Sequence, residues 1–174
     1  MRNLPYYPAI GAIIFLLKWS YTTAGPGDLQ VLIRPVAGLV SLITGAAGEY
    51  GEKGCYYAQL NIVIDKSCSG FNFLILCYGM LASLAIPSVS GVRAKMLAVI
   101  LALPGALLLT VLVNSARILS VYFVQQLSGA FREHPATWLH QAAGAFIYLF
   151  FLMLIYIGAD FLIHKLSGRH AKSA

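Results

Sequence analysis

Apolar residues in this chain gather into long runs separated by short polar breaks, and the lengths of the runs predict what each one does. Crossing a hydrocarbon layer about 30 Å thick takes roughly 20 consecutive apolar residues in a helix. Cys68 to Pro87, Ala94 to Val113 and Gln141 to Ile163 meet that length. Pro5 to Ala24 is a fourth span, although it carries Lys18. Leu29 to Ala47 follows a different rule. Leu29, Leu32, Ile33, Val36, Val40 and Ile43 share one helical face, and Gln30, Arg34, Gly38, Ser41 and Gly45 form the opposite stripe. An Arg inside a span costs about 2.5 kcal/mol or more on insertion scales, so this segment reads as an interfacial helix, with a fifth span as the alternative.

Between the helices the period changes. From Tyr56 to Asp65 the chain alternates, with Tyr56, Ala58, Leu60, Ile62 and Ile64 on one side, which predicts a half-buried strand. An open strand cannot face lipid, so it belongs at the membrane surface or against protein. "GPGD" at 25–28 and "GEKG" at 51–54 are turns, and "SVSGVRAK" is a short basic loop. Pro104-Gly105 inside a span implies a kink rather than a break. The expected fold is therefore an all-α polytopic membrane protein, a single integral membrane domain over residues 1–174, with four to five spans and a short surface β element before Cys68.

Composition agrees: of 174 residues, 59% are apolar and only 10% charged, with a mean hydropathy of +0.78. The N-terminus reads as a retained first span, because Pro5 and Pro8 come early and Lys18-Trp19-Ser20-Tyr21 has no small-residue cleavage site. The net charge of +6 is scattered, which excludes a nucleic-acid footprint. Three cysteines without a CxxC, and no nucleotide-binding loop, leave no metal or cofactor expected.

If three spans zigzag between Cys68 and Ile163, residues 65–70, the segment 114–138 and His140 emerge on one side. Loop 88–95 and the tail emerge on the other. Five Lys/Arg on the loop and tail side stand against four opposite, and Arg2 adds to the five if Pro5 to Ala24 spans and Leu29 to Ala47 does not, which predicts a cytoplasmic tail and an extracytoplasmic Cys68.

Cys68, Arg117 and His140 then share a face and a chemistry. A thiol attacks as thiolate, a form favoured by a helix N-terminus and by neighbouring Arg or protonated His. His140 can move the proton to a leaving amine, and Arg117 can stabilise an oxyanion or hold a carbonyl. Gly70 leaves room for a peptide backbone, and Ser67 or Ser69 can donate. Plainer roles exist for each: Cys68 as a small hydrophobe, Arg117 snorkelling from a helix end, His140 anchoring at the interface beside Trp138. Cys77 lies about 13 Å deeper and reads as packing, and His134 as a solvated loop residue. Cys55 could pair with Cys68 in an oxidising compartment.

"KSCSGFNFL", "NSARI" at 114–118 and "HQAAG" at 140–144 resemble, in the same order, the Cys, Arg and His motifs of the exosortase/archaeosortase family. Phe71-Asn72 after Cys-Ser-Gly is most similar to the exosortase K type. The resemblance implies a thiol protease and transpeptidase of the cell (inner) membrane, with its active site outside the cytoplasm. It implies Cys68 as nucleophile, His140 as proton-transfer group and Arg117 as oxyanion or positioning residue, supported by Ser67, Ser69, Gly70 and Asn114. It also implies partners: exported proteins bearing a C-terminal sorting signal, and an envelope acceptor for the new C-terminus, with membrane lipid around the enzyme. Many relatives have more spans and an Arg shortly after Cys-Ser-Gly, where this chain has Asn72. A non-enzymatic assembly or transport subunit, with Arg117 and Asp65 as a buried ion pair, is the competing reading.

Overall fold

The computed structural model describes residues 3–25, 27–127 and 137–170, apart from the side chains at 125, 127, 137–141 and 166–170. Two helices come first, α1 (Tyr6–Thr23) and α2 (Gln30–Thr44), followed by a small sheet of β1 (Glu49–Gly51), β2 (Gly54–Tyr57) and β3 (Ile62–Ile64). Three more helices complete the chain: α3 (Phe71–Ser88), α4 (Val92–Leu127) and α5 (Thr137–His170). Among the described residues, three helices are long and apolar enough to cross a membrane, at Phe71–Ser88, Val92–Val124 and Ala142–Lys165. The protein is thus a helical, polytopic membrane protein with a short β element, as the apolar pattern implies. Helix α1 matches α3 in length but is diluted by Lys18, Trp19 and its tyrosines.

The chain divides into two compact units. One comprises Met1–Thr22, Asn72–Leu109 and Phe151–Ala174. Here Phe73, Cys77, Ala82, Ile86 and Ala106 are buried, and two lysines find partners despite their apolar setting. Lys18 donates to Asn72 Oδ1 at 2.9 Å, and Lys95 donates to Asn3 Oδ1 while lying over the Tyr6 ring. Lys18 is exposed, whereas Lys95 is buried, and a charge paired as Lys95 is costs far less to bury than a bare one.

The other unit, Thr23–Phe71 and Thr110–Phe150, holds the sheet and every residue of the candidate site whose side chain is described. Helix α2 buries Leu32, Ile33, Val36, Ala37 and Val40, the apolar face expected, although Ile43 is exposed. At 15 residues, or about 22 Å, α2 is shorter than the hydrocarbon layer. Tyr57 ties the sheet to it: its hydroxyl donates to Ala37 O at 2.6 Å and meets Ser41 Oγ at 2.9 Å. Burial pushes the Tyr57 phenol up to about 12, and the same desolvation raises the thiol of neighbouring Cys55.

Two expectations need correction. The alternation over 56–65 is not one strand: a turn at 58–61 divides it, and Asn61 takes a left-handed backbone with φ 52. β2 and β3 therefore form an antiparallel hairpin pairing Cys55 with Ile64, Tyr56 with Val63 and Tyr57 with Ile62. The four-residue turn shifts the alternation by one, so Cys55 and Tyr57 share the buried face with Ile64. The helix beginning at Val92 likewise does not end near Val113. It continues without a break through Pro104 and through "NSARI" to Leu127. Thr110 lies about 27 Å along it, near the far side of a hydrocarbon layer, where polar side chains need no chain exit to find partners.

Candidate active site

The turn that presents Cys68 is organised by Asp65, the residue after β3. Asp65 Oδ1 accepts hydrogen bonds from Cys68 N at 3.0 Å and Ser67 Oγ at 2.6 Å, and its carbonyl also accepts from Cys68 N at 3.1 Å. An aspartate bonding the backbone just ahead of it is a local alternative to strand or helix, and it stops β3 from running on. Ser67 Oγ lies 3.8 Å from Cys68 Sγ. Its single proton is claimed by the shorter contact to the carboxylate, so towards sulfur it presents lone pairs. Cys68 is half-buried and free, three residues before α3 begins, at the positive end of that helix.

Gly70 lets the turn reach α4. Its φ of +77 is left-handed, and a Cβ there would stand 3.0 Å from Asn114 Cγ and 3.1 Å from Thr110 Cγ2. Because the approach is so close, the fully buried Asn114 donates through Nδ2 to Cys68 O at 2.6 Å. Its Oδ1 must then accept, and it does so from Tyr148 OH at 2.6 Å. The phenol in turn accepts from Arg117 Nη1 at 3.3 Å, and the guanidinium lies 5.1 Å from the Tyr148 ring centroid. A directed chain thus runs from Arg117 through Tyr148 and Asn114 to the carbonyl of Cys68. Gly144 makes room for it, since a Cβ there would stand 2.5 Å from Arg117 Nε.

Cys68 and Arg117 line one cavity of about 230 Å³, walled by Asn61, Ile62 and Val63 on the sheet side and Ile118, Val121 and Tyr122 on α4. Arg117 Nε is buried without a hydrogen-bond partner among the described residues, as is Ser69 Oγ. Because Arg117 lines the same cavity as the thiol, its fixed positive charge can hold a negatively charged or carbonyl oxygen there. No ion pair joins Arg117 to Asp65 among the described residues, since Asp65 is occupied by its own turn.

The structure therefore brings together Cys68, Arg117, Asn114, Ser67, Ser69 and Gly70. Helix α5 carries residue 140 in its first turn, but the His140 side chain and residue His134 lie outside the described set. Cys55 and Cys77 are buried and free. Two residues of the site carry little signal in the sequence: Tyr148 sits within an apolar span where an aromatic looks lipid-facing, and Asp65 looks like an ion-pair partner for Arg117. The Asp-Lys-Ser-Cys spacing, an Asp three residues before a turn cysteine, was the available signal for Asp65.

Residues 52–157 match the family model described as transmembrane exosortase (Exosortase_EpsH). No curated protein and no solved structure matches the chain.

Proposed function

The chain belongs to the transmembrane exosortase family, and from that premise we propose that it is a cysteine protease and transpeptidase cutting C-terminal sorting signals from exported proteins. The observation that carries this reading is the cavity shared by Cys68 and Arg117. The Cys68 thiolate adds to the scissile carbonyl carbon, and the electron pair displaced onto oxygen is held by Arg117. As the tetrahedral centre collapses, the C–N bond breaks and the amine leaves with a proton from His140, whose role comes from the family resemblance. The product is a thioester on Cys68. An amine or hydroxyl of an envelope acceptor, or water, then attacks the thioester, loses its proton to His140 and regenerates the thiolate.

The sorting signal of a short motif, a transmembrane helix and a basic cluster would bring the scissile bond to the outer face of the inner membrane. Phe71-Asn72 after the Cys-Ser-Gly core favours the exosortase K type. The competing subunit reading relied on an Arg117–Asp65 pair, and the bonds made by Asp65 disfavour it. Co-expression with an exported reporter carrying such a signal tests the proposal. Cys68→Ala should abolish the size shift of the reporter while the chain stays inserted at its normal level. A size shift that survives the substitution would refute the proposal.

A further inference from the structure

Successive residues of a strand point to opposite faces of its sheet. Ile62 stands across from Tyr57 on the core side, while Val63 stands across from Tyr56 on the outer side and also borders the exposed groove formed with Glu49 and Tyr50. Yet Ile62 and Val63, with Asn61 before them, all line the cavity that holds Cys68. A cavity lined by consecutive residues of one strand, Ile62 and Val63, and by Asn61 before them, reaches that strand's edge, where the backbone N–H and C=O groups are.

That edge is open. The sheet order is β1-β2-β3, so β3 is paired with β2 on one side and has no strand on the other among the described residues. The opposite wall comes from one face of α4, since Ile118, Val121 and Tyr122 are three and four residues apart. An open strand edge facing an apolar helix wall forms a slot, and its volume of about 230 Å³ falls below the roughly 300–1,000 Å³ of drug-sized pockets. A single extended peptide matches that shape: its main chain can pair with the edge, and its side chains can alternate between the two sides.

The geometry points to β3 as the substrate-pairing strand, on which the segment of the exported protein carrying the scissile bond adds as a fourth strand and is led to Cys68. This rests on the cleavage reading above and goes beyond it in naming how the substrate is held. Specificity would then come from alternate side chains of the substrate, while the backbone pairing is indifferent to sequence. The turn held by Asp65 follows β3 directly, so strand and nucleophile are fixed to each other by three intervening residues.

Disulfide cross-linking in membranes tests it. The full chain carries Cys68→Ala with either Val63→Cys or Ile62→Cys, and single cysteines are walked through the reporter residues just before its transmembrane helix. Opposed residues of paired strands have Cβ atoms about 4.5–5.5 Å apart, within disulfide reach after slight adjustment. The expected result is alternation with opposite parity: Val63→Cys captures every second reporter position several-fold more strongly, and Ile62→Cys captures the positions between. Val121→Cys, on the helix wall, controls for folding and slot occupancy. Capture through Val121→Cys with none through β3, the same positions captured by both β3 variants, or no capture at any of the three would overturn the inference. Reporter processing by the chain with Cys68 intact is scored separately. Its failure would count against the cleavage reading, whatever the cross-links show.

Discussion

One helix, α4, contains two chemically different stretches. From Met96 to Leu109 every residue is apolar, glycine or proline, and Met96, Leu97, Ile100, Leu101 and Leu108 are exposed on the surface that lipid would cover. From Thr110 to Arg117 half the residues are polar, and Thr110, Asn114 and Ser115 are buried completely or nearly so. A membrane helix exposes what lipid tolerates and buries what it does not. The first stretch follows that rule by composition, and the second by supplying every polar group with a protein partner or a place in the cavity. The contrast teaches that the polar residues of α4 are internal site furniture rather than a chain leaving the membrane.

Changes in the second stretch should therefore be felt in catalysis, and changes in the first should not. The largest effect is expected at Arg117. Arg117→Lys keeps the charge but replaces the rigid planar fork that meets Tyr148 with a compact ammonium on a flexible stem, so reporter cleavage should fall about 10²–10³-fold in initial rate. Asn114→Leu comes next. It leaves Cys68 O and the Tyr148 hydroxyl without their partner, a cost of about 2–3 kcal/mol that corresponds to roughly 30–150-fold slower cleavage if it falls on the site. Gly144→Ala should push the guanidinium from its seat against α5, since the clash falls on the movable end of Arg117, and slow cleavage about tenfold with little change in chain level. Ile100→Ala, in the first stretch, should alter cleavage less than about twofold by the same assay. If Ile100→Ala proved as damaging as Asn114→Leu, the division between the stretches would collapse.

The smallest effect lies away from the cavity. Tyr57→Phe removes the donor to Ala37 O and should lower thermal stability by about 1 kcal/mol while leaving the cleavage rate unchanged below pH 10. The sign of its pH dependence follows from the raised phenol, which reaches about 12 in the folded chain against an ordinary value of 10. Between those values the folded state holds a proton that the unfolded state has lost, so stability falls as pH rises through that window and is fully retained below it. Thermal melts of the detergent-solubilised chain from pH 9 to 12 should show this loss in the wild type and less of it in Tyr57→Phe.

Much of this was legible in the residue pattern. The three apolar runs became α3, α4 and α5 because length and hydropathy suffice to define a span. Cys68 and Arg117 were recognisable as a pair because short motifs in a fixed order mark them, and the apolar face of α2 was read correctly except at Ile43. What the pattern hid has physical causes. The turn at 58–61 reverses the chain and shifts its alternation by one while the sequence pattern runs on through it, so periodicity alone cannot see it. Polar residues at 114–117 look like a helix leaving the membrane unless their buried partners are known. Tyr148 reads as one aromatic among many, and only Arg117 and Asn114 at either side of its hydroxyl reveal its place.

The central claim is that Cys68 forms a covalent bond with the acyl part of its substrate. Acid-quenched mixtures of the full chain and a sorting-signal reporter, analysed by peptide mass, test it most directly. The account predicts an added mass on the peptide containing Cys68, released by hydroxylamine and absent after Cys68→Ala. Cleaved reporter accumulating without any adduct on Cys68, and continuing to accumulate after Cys68→Ala, would contradict it.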